Sequence, residues 1–157
     1  MVTAEYFESP REFERDPQRW SLFLAGGITG CPDWQNEVCG RLSDSPLAVL
    51  NPRRRDFPIH DPSAAPAQIK WEFQHLRRAE AVLFWFPCET LCPIALYELG
   101  AWSMTPKPLF VGCHPAYQRR YDVLIQTKLA RPNVRVVDSL DDLILSVRNW
   151  CPPGHSG

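Results

Sequence analysis

The 157-residue sequence lacks several features that would indicate common classes of protein. It has no CxxC pair and no HExxH, so it carries neither a typical zinc-ligand spacing nor a metalloprotease motif. GxGxxG and GxxxxGK[ST] loops are also missing, which argues against the usual dinucleotide and P-loop sites. No apolar run approaches the roughly 20 residues that span a bilayer. We therefore expect no membrane association, no metal and no cofactor.

A charge excess of either sign is missing too. The sequence has 17 basic and 18 acidic side chains, for a net charge of −1. Because proteins that bind polymeric nucleic acid usually carry a basic surface, we expect no such partner. The N-terminal residues are polar and acidic, unlike a signal peptide. We therefore expect a cytoplasmic protein whose six cysteines are reduced.

What the chain does have is a regular alternation of apolar strands and helical segments. This order favours the α/β class, with a single doubly wound, five-stranded parallel sheet, flavodoxin- or Rossmann-like, and helices on both faces. Residues 1–19 are expected to form an irregular N-terminal arm or short helix, residues 20–151 the domain, and residues 152–157 a flexible tail. The predicted strands are Ser21–Ala25, Leu47–Asn51, Ala81–Phe86, Pro108–Cys113 and Val134–Val137.

Ligands of such sheets bind beyond the carboxyl ends of the strands, at the point where the strand order reverses. The loops after Ala25, Asn51, Phe86 and Cys113 should therefore line the site. The loop over residues 52–66 is long and rich in Arg, Asp and Pro. Loops of this length in a compact domain are often functional.

Glu98 is the leading catalytic candidate. It lies in the second turn of a predicted helix over Pro93–Met104, with Ile94 and Trp102 one turn away on either side. A carboxylate on such an apolar stripe is unfavourable unless it has partners or a function. The alternative is a glutamate that bends outward into solvent.

Glu72 is the second candidate. It lies in a predicted helix over Ala67–Ala79, at the edge of an apolar stripe formed by Ile69, Phe73 and Leu76 that we expect to be buried. The alternative is an ordinary solvated glutamate. Several aromatic side chains, Phe86 among them, either stack on a planar base or fill the core.

Three segments together resemble the nucleoside 2-deoxyribosyltransferase-like family: FLAGGITG, WEFQHLRRAEAVLFWF and TLCPIALYELGAWS. The resemblance extends over about residues 21–130. Its most specific mark is a catalytic glutamate followed by an apolar residue and glycine, here Glu98-Leu99-Gly100. The family's second acidic residue corresponds to Glu72, eight positions before Glu80. The chain departs from the family pattern at Cys92, where an aspartate near the base is usual.

The resemblance implies that an ionised Glu98 attacks the anomeric carbon of a nucleoside or nucleotide and forms a glycosyl-enzyme intermediate. Glu72 would supply the proton to the departing base, or part of the proton relay. Attack by a second base would then give 2-deoxyribosyl transfer, and attack by water would give hydrolysis. A non-catalytic nucleotide-sensing module is the third alternative.

The resemblance also implies where the substrate binds. The backbone of the first loop would approach the sugar, the arginine-rich loop would hold a 5′-phosphate, and the loop after the third predicted strand would contact the base. Enzymes of the family commonly form dimers or larger homo-oligomers with shared active sites, and the segment Asp122–Ile125 resembles the part that a neighbour supplies. The implied substrate-binding residues are Ala25, Gly26, Gly27, Asn51, Arg53, Arg54, Phe86, Glu89, Thr90 and Asp122.

Overall fold

A six-stranded parallel sheet organises residues 2–151, the part of the chain that the computed structural model describes. The tail predicted over residues 152–157 lies outside the described residues. The strands are β1 (Glu5–Glu8), β2 (Trp20–Gly26), β3 (Leu47–Asn51), β4 (Ala81–Phe86), β5 (Leu109–Cys113) and β6 (Val136–Val137). The helices are α1 (Trp34–Arg41), α2 (Ala64–Arg78), α3 (Pro93–Ser103), α4 (Arg120–Ala130) and α5 (Leu140–Trp150).

The strand order is β1-β3-β2-β4-β5-β6, and every neighbouring pair is parallel. The chain runs outward from β2 to β3 and then crosses back to β4 on the other side of β2. This reversal confirms the predicted doubly wound α/β class and places the switch point between β2 and β4. The sheet has one strand more than the five predicted, because β1 joins its edge.

Strand β1 lies in the segment for which the sequence predicted an irregular arm or a short helix, so that prediction was wrong for these four residues. Their sequence, EYFE, carries a single fully apolar side chain, Phe7, which packs in the core opposite Leu50 of β3. A short edge strand with one buried residue gives almost no periodic signal.

Helices cover both faces of the sheet, as predicted. On one face, side chains of α2, α3 and α4 pack against the sheet, and on the other face those of α1 and α5 do so. Central strand β4 is buried along its whole length, which explains its uninterrupted apolar sequence. Within residues 2–151, none of the helices combines the length and the apolar character that crossing a bilayer requires.

Helix α2 buries only one of the three residues of its predicted apolar stripe, Leu76. Ile69 and Phe73 are 66 % and 60 % exposed, whereas Trp71 and His75 are buried. The cause is the segment that precedes β2, which packs over this helix: the backbone N–H of Phe13 donates to His75 Nε2 at 3.1 Å. Periodicity identifies the apolar side of a helix, but it does not tell which surface covers that side.

Candidate active site

A cavity of about 590 Å³ opens at the carboxyl edge of the sheet, at the switch point between β2 and β4. Its walls come from the loops after β2, β3 and β4 and from the facing sides of α2 and α3. The structure brings seven of the predicted site residues together in its lining: Ala25, Gly26, Gly27, Arg54, Glu72, Thr90 and Glu98.

Glu98 reaches this cavity from the second turn of α3. The helix begins at Pro93, preceded by Cys92 in a left-handed conformation (φ 50°). One carboxyl oxygen of Glu98, Oε2, is buried and has no hydrogen-bond partner among the described residues. Burial, followed by the nearby charge of Glu72, raises the pKa of Glu98 to about 8. In the free protein Glu98 is therefore mostly protonated at neutral pH, in contrast to the anion that its position near a helix N-terminus predicts.

Glu72 faces the same cavity from the middle of α2. Its Oε1 accepts a hydrogen bond of 3.0 Å from the side-chain amide of Gln68, one turn earlier. Burial raises the pKa of Glu72, and the hydrogen bond from Gln68 opposes that increase by stabilising the anion. The two carboxyls thus differ in their partners: Glu72 has a donor, and Glu98 Oε2 has none.

The turn after β2 brings the backbone close to the cavity. Gly26 has a φ of 154°, and a Cβ at this position would lie 2.2 Å from the carbonyl oxygen of Trp85, so only glycine fits. The carbonyl of Gly27 accepts hydrogen bonds from Trp34 Nε1 at 2.8 Å and from Gln35 Nε2 at 2.9 Å. These contacts hold the turn against α1.

The two candidate phosphate-binding arginines have different surroundings. The guanidinium of Arg53 donates hydrogen bonds within the protein, to the carbonyls of Cys31 and Pro32 and to the side-chain oxygen of Gln35. Arg54 lines the cavity, and its guanidinium lies 5.5 Å from the centre of the Phe57 ring. Within residues 2–151 no carboxylate forms an ion pair with Arg54, so its charge is available to an anionic ligand.

Four further predicted residues lie outside the cavity lining. Asn51 uses its side-chain oxygen to accept a hydrogen bond from the backbone N–H of Arg53 at 2.9 Å. Phe86 is fully buried in the core, and Glu89 is exposed beside the cavity. Asp122, on α4, pairs with Arg119 at 2.7 Å and lines a separate crevice between α3 and α4.

The cavity also includes residues outside the set of predicted catalytic and substrate-binding residues. Gln68 is the most informative, because it holds Glu72 directly. A signal for it was present, since residues four apart share one side of a helix. Thr29, Phe57 and Ile59 line the cavity from loops. They lie in the two loops, after Ala25 and after Asn51, that the sequence predicted to line the site, and Phe57 is one of the aromatic residues considered for stacking on a base.

A comparison with known families agrees with this geometry. The family model described as nucleoside 2-deoxyribosyltransferase like matches residues 19–117, which is well over half of the chain. The chain belongs to the nucleoside 2-deoxyribosyltransferase-like family. The matched region contains every element that lines the cavity, from β2 to α3, and both buried carboxyls. No curated protein matches the chain.

Proposed function

We propose that the chain cleaves the N-glycosidic bond of (deoxy)nucleosides through a glycosyl-enzyme intermediate on Glu98, and that it transfers 2-deoxyribose between bases. One observation carries the proposal: the Oε2 atom of Glu98 is buried at the switch-point cavity and has no partner within the described residues. A buried carboxyl oxygen without a partner is destabilising unless a ligand completes it. Membership in the family supports a nucleoside as that ligand.

The first chemical step breaks the bond between the sugar's anomeric carbon and the base nitrogen. A carboxylate oxygen of Glu98 forms the new bond to the anomeric carbon, and the bonding electrons leave with the base. Protonation of the base nitrogen makes it a better leaving group. Glu72, which faces the same cavity from α2, is the residue that we assign to deliver this proton.

The first step needs the proton of the carboxyl pair on Glu72, whereas in the free protein it is on Glu98. At neutral pH the raised pKa leaves the proton on Glu98, whereas attack requires Glu98 as the anion. A sugar hydroxyl that donates to Oε2 would supply the missing hydrogen bond and stabilise that anion. The proton would then pass to Glu72, so substrate binding itself would generate the reactive form of the pair.

The second step releases the glycosyl group from Glu98, and the resting protein is restored once the proton on Glu72 returns to Glu98. A second base attacks the anomeric carbon through its nitrogen, the bond to Glu98 breaks, and the proton of the incoming base passes to the Glu72 carboxylate. Water in place of the base would give the free sugar by the same route.

A second candidate function, hydrolysis of a nucleoside 5′-monophosphate, is favoured by Arg54. A guanidinium that lines the cavity and lacks an ion pair among the described residues is suited to a phosphate, which it binds through two parallel hydrogen bonds. In the remaining alternative, a sensing module, the same residues would bind a nucleotide and Glu98 would carry out no reaction.

We further propose a homo-oligomer in the cytoplasm. Four apolar side chains of α2 and α3, namely Ile69, Phe73, Ile94 and Tyr97, are exposed beside a crevice that Glu72 and Glu98 also line. A second subunit on this surface would exclude water from the carboxyl pair. All six cysteines are free, which supports a reducing compartment.

The test is a chromatographic screen of nucleosides and their 5′-monophosphates, with and without a second base. Base exchange supports transfer, free sugar or sugar phosphate supports hydrolysis, and binding without turnover supports the sensing module. Glu98→Ala should abolish either reaction, while Glu14→Ala, a change to an exposed glutamate before β2, should leave the rate unchanged. Base release that survives in Glu98→Ala would contradict the covalent mechanism.

A further inference from the structure

A chain of partly buried hydrogen bonds connects the N-terminal arm to the candidate catalytic pair. The hydroxyl of Ser9 donates to Gln68 Oε1 at 2.6 Å, and Gln68 Nε2 donates to Glu72 Oε1 at 3.0 Å. Ser9 is only 3 % exposed, and its backbone N–H donates to the carbonyl of Asn51 at 3.0 Å. The arm is thus anchored to the end of β3 at the residue that contacts Gln68.

The orientation of the Gln68 amide is fixed by its neighbours. Its nitrogen lies 2.7 Å from the carbonyl oxygen of Pro52, which can only accept a hydrogen bond. The nitrogen must therefore face Pro52 and Glu72, and the oxygen must face Ser9. With both ends occupied, the amide cannot rotate to present its oxygen to Glu72 without losing these hydrogen bonds.

We infer that Gln68, held by Ser9, is a positioning residue that orients the Glu72 carboxyl and supplies the hydrogen bond that stabilises its anion. Since the two carboxyls repel each other when both are charged, a hydrogen bond to one of them favours its anion and leaves the proton on the other. Gln68 donates to Glu72, so the resting proton stays on Glu98. This inference gives Gln68 and Ser9 a role in the function proposed above, and its catalytic meaning rests on that function.

Few other charged groups act on this pair. Within the described part of the chain, the titratable or charged side chains that line the cavity with Glu72 and Glu98 are Arg54, from the loop after β3, and Cys92, at the start of α3. Burial raises the pKa of the Cys92 thiol to about 12, so Cys92 is neutral at physiological pH. Burial raises the pKa of both carboxyls, and Glu72 differs from Glu98 in that its pKa is also lowered by a hydrogen bond, the one from Gln68.

The test measures protonation directly and does not need an active enzyme. Full-length protein labelled with ¹³C at the glutamate carboxyl carbons would be titrated by NMR, and Glu72→Gln would assign the signal of Glu72. Removing a hydrogen bond to a charged group should raise the Glu72 midpoint by on the order of one pH unit in Gln68→Met. The matched control is Gln74→Met, which changes an exposed glutamine of the same helix and should leave the midpoint unchanged.

Ser9→Ala tests the outer link with the removal of one hydroxyl, and it remains informative if Gln68→Met fails to fold. It should move the midpoint in the same direction by a smaller amount. An unchanged Glu72 midpoint in Gln68→Met, or in Ser9→Ala, would overturn the role given to that residue.

The dependence of the reaction rate on pH then tests whether the hydrogen bonds from Ser9 and Gln68 matter for function. With a substrate found by the screen, kcat/KM for base release would be measured against pH. The acid limb of this profile should shift to higher pH in Gln68→Met by the same amount as the NMR midpoint of Glu72. A purely structural defect would lower the rate at every pH without moving the limb, and that outcome would overturn the catalytic role. If no substrate is turned over by the wild-type protein, the proposed function fails while the NMR result still decides the inference.

Discussion

Glu72 and Glu98 face one cavity from two different helices, and the charge of Glu72 contributes to the raised pKa of Glu98. In the proposed function one carboxyl attacks while the other transfers a proton, which is the division of roles in retaining glycosidases. The effect of this pair on the stability of the protein can be measured without a substrate.

The carboxyl of Glu98 should make stability depend on pH. Its pKa rises from the ordinary 4.5 in the unfolded chain to about 8 in the folded protein. Between these values the folded state binds more protons than the unfolded state, so the free energy of unfolding falls as the pH rises. Glu98→Gln should remove this fall and stabilise the protein by about 1–2 kcal/mol near the alkaline end of the window. Urea unfolding between pH 4.5 and 8 measures the effect, with Glu14→Gln as the control. If the free energy of unfolding depended on pH in the same way in Glu98→Gln and in wild type, the prediction would be contradicted.

Arg54 should distinguish phosphorylated from unphosphorylated substrates. Loss of a charge-assisted hydrogen bond costs about 1.5–3 kcal/mol, so Arg54→Met should lower kcat/KM for a 5′-monophosphate by roughly 10- to 100-fold. The nucleoside itself should react as before. Arg55→Met is the matched control, because Arg55 is exposed and pairs with Glu8. An equal decrease in kcat/KM for the 5′-monophosphate and for the nucleoside would show that Arg54 does not bind the phosphate.

Gly26 should not tolerate a side chain. A Cβ there would lie 2.2 Å from the carbonyl oxygen of Trp85 and 2.7 Å from the ring of Trp34. We expect Gly26→Ala to destabilise the fold by on the order of 2–4 kcal/mol, measured by thermal unfolding. Gly40→Ala in α1 meets no atom within 4 Å and should instead stabilise by about 0.5–1 kcal/mol. Similar melting temperatures for the two variants would contradict the steric argument.

The segment before β2 should detach from α2 in acid. His75 is buried and neutral: Nδ1–H donates to the Trp71 carbonyl at 2.7 Å, and Nε2 accepts from the N–H of Phe13 at 3.1 Å. Burial lowers its pKa below the ordinary 6.5. The contribution of neutral His75 to the free energy of unfolding is therefore complete above pH 6.5. It is lost as the pH falls through the lowered pKa of His75 in the folded protein.

Hydrogen exchange at the Phe13 amide should measure this loss. Below pH 6.5, protection of that amide, corrected for the intrinsic exchange rate, should decrease. Replacing His60, an exposed histidine, with Gln should not change the pattern. Constant protection down to the acid unfolding transition would disprove the link between His75 and the segment.

The exposed side of α2 and α3 should carry the subunit contact. Phe73 and Tyr97 are 60 % and 78 % exposed, and interfaces favour aromatic side chains. Phe73→Ser should raise the dissociation constant of the oligomer by at least tenfold, as expected for an interface hot spot of about 2 kcal/mol. Sedimentation velocity measures it, with Leu145→Ser as the control for an exposed apolar residue on the far side of the sheet. A monomeric wild-type protein would remove the basis for this prediction.

The sequence predicted the doubly wound sheet because buried parallel strands and their helices have strong, different periods. The apolar neighbours of Glu98 and the family resemblance of the segments around both glutamates made Glu98 and Glu72 the catalytic candidates, and the structure places both at one cavity. It did not predict the exposure of Ile69, because the packing of the N-terminal arm over α2 depends on contacts between distant segments. The sequence also did not predict that Arg54 faces the cavity while Arg53 bonds within the protein, since adjacent loop side chains have no fixed direction.

The hydrogen bonds from Arg53 to Cys31 and Pro32 join the loop after β3 to the loop after β2. These hydrogen bonds therefore hold two walls of the cavity together. A ligand that enters between them does not have to order either loop, and its binding should carry only a small entropic penalty.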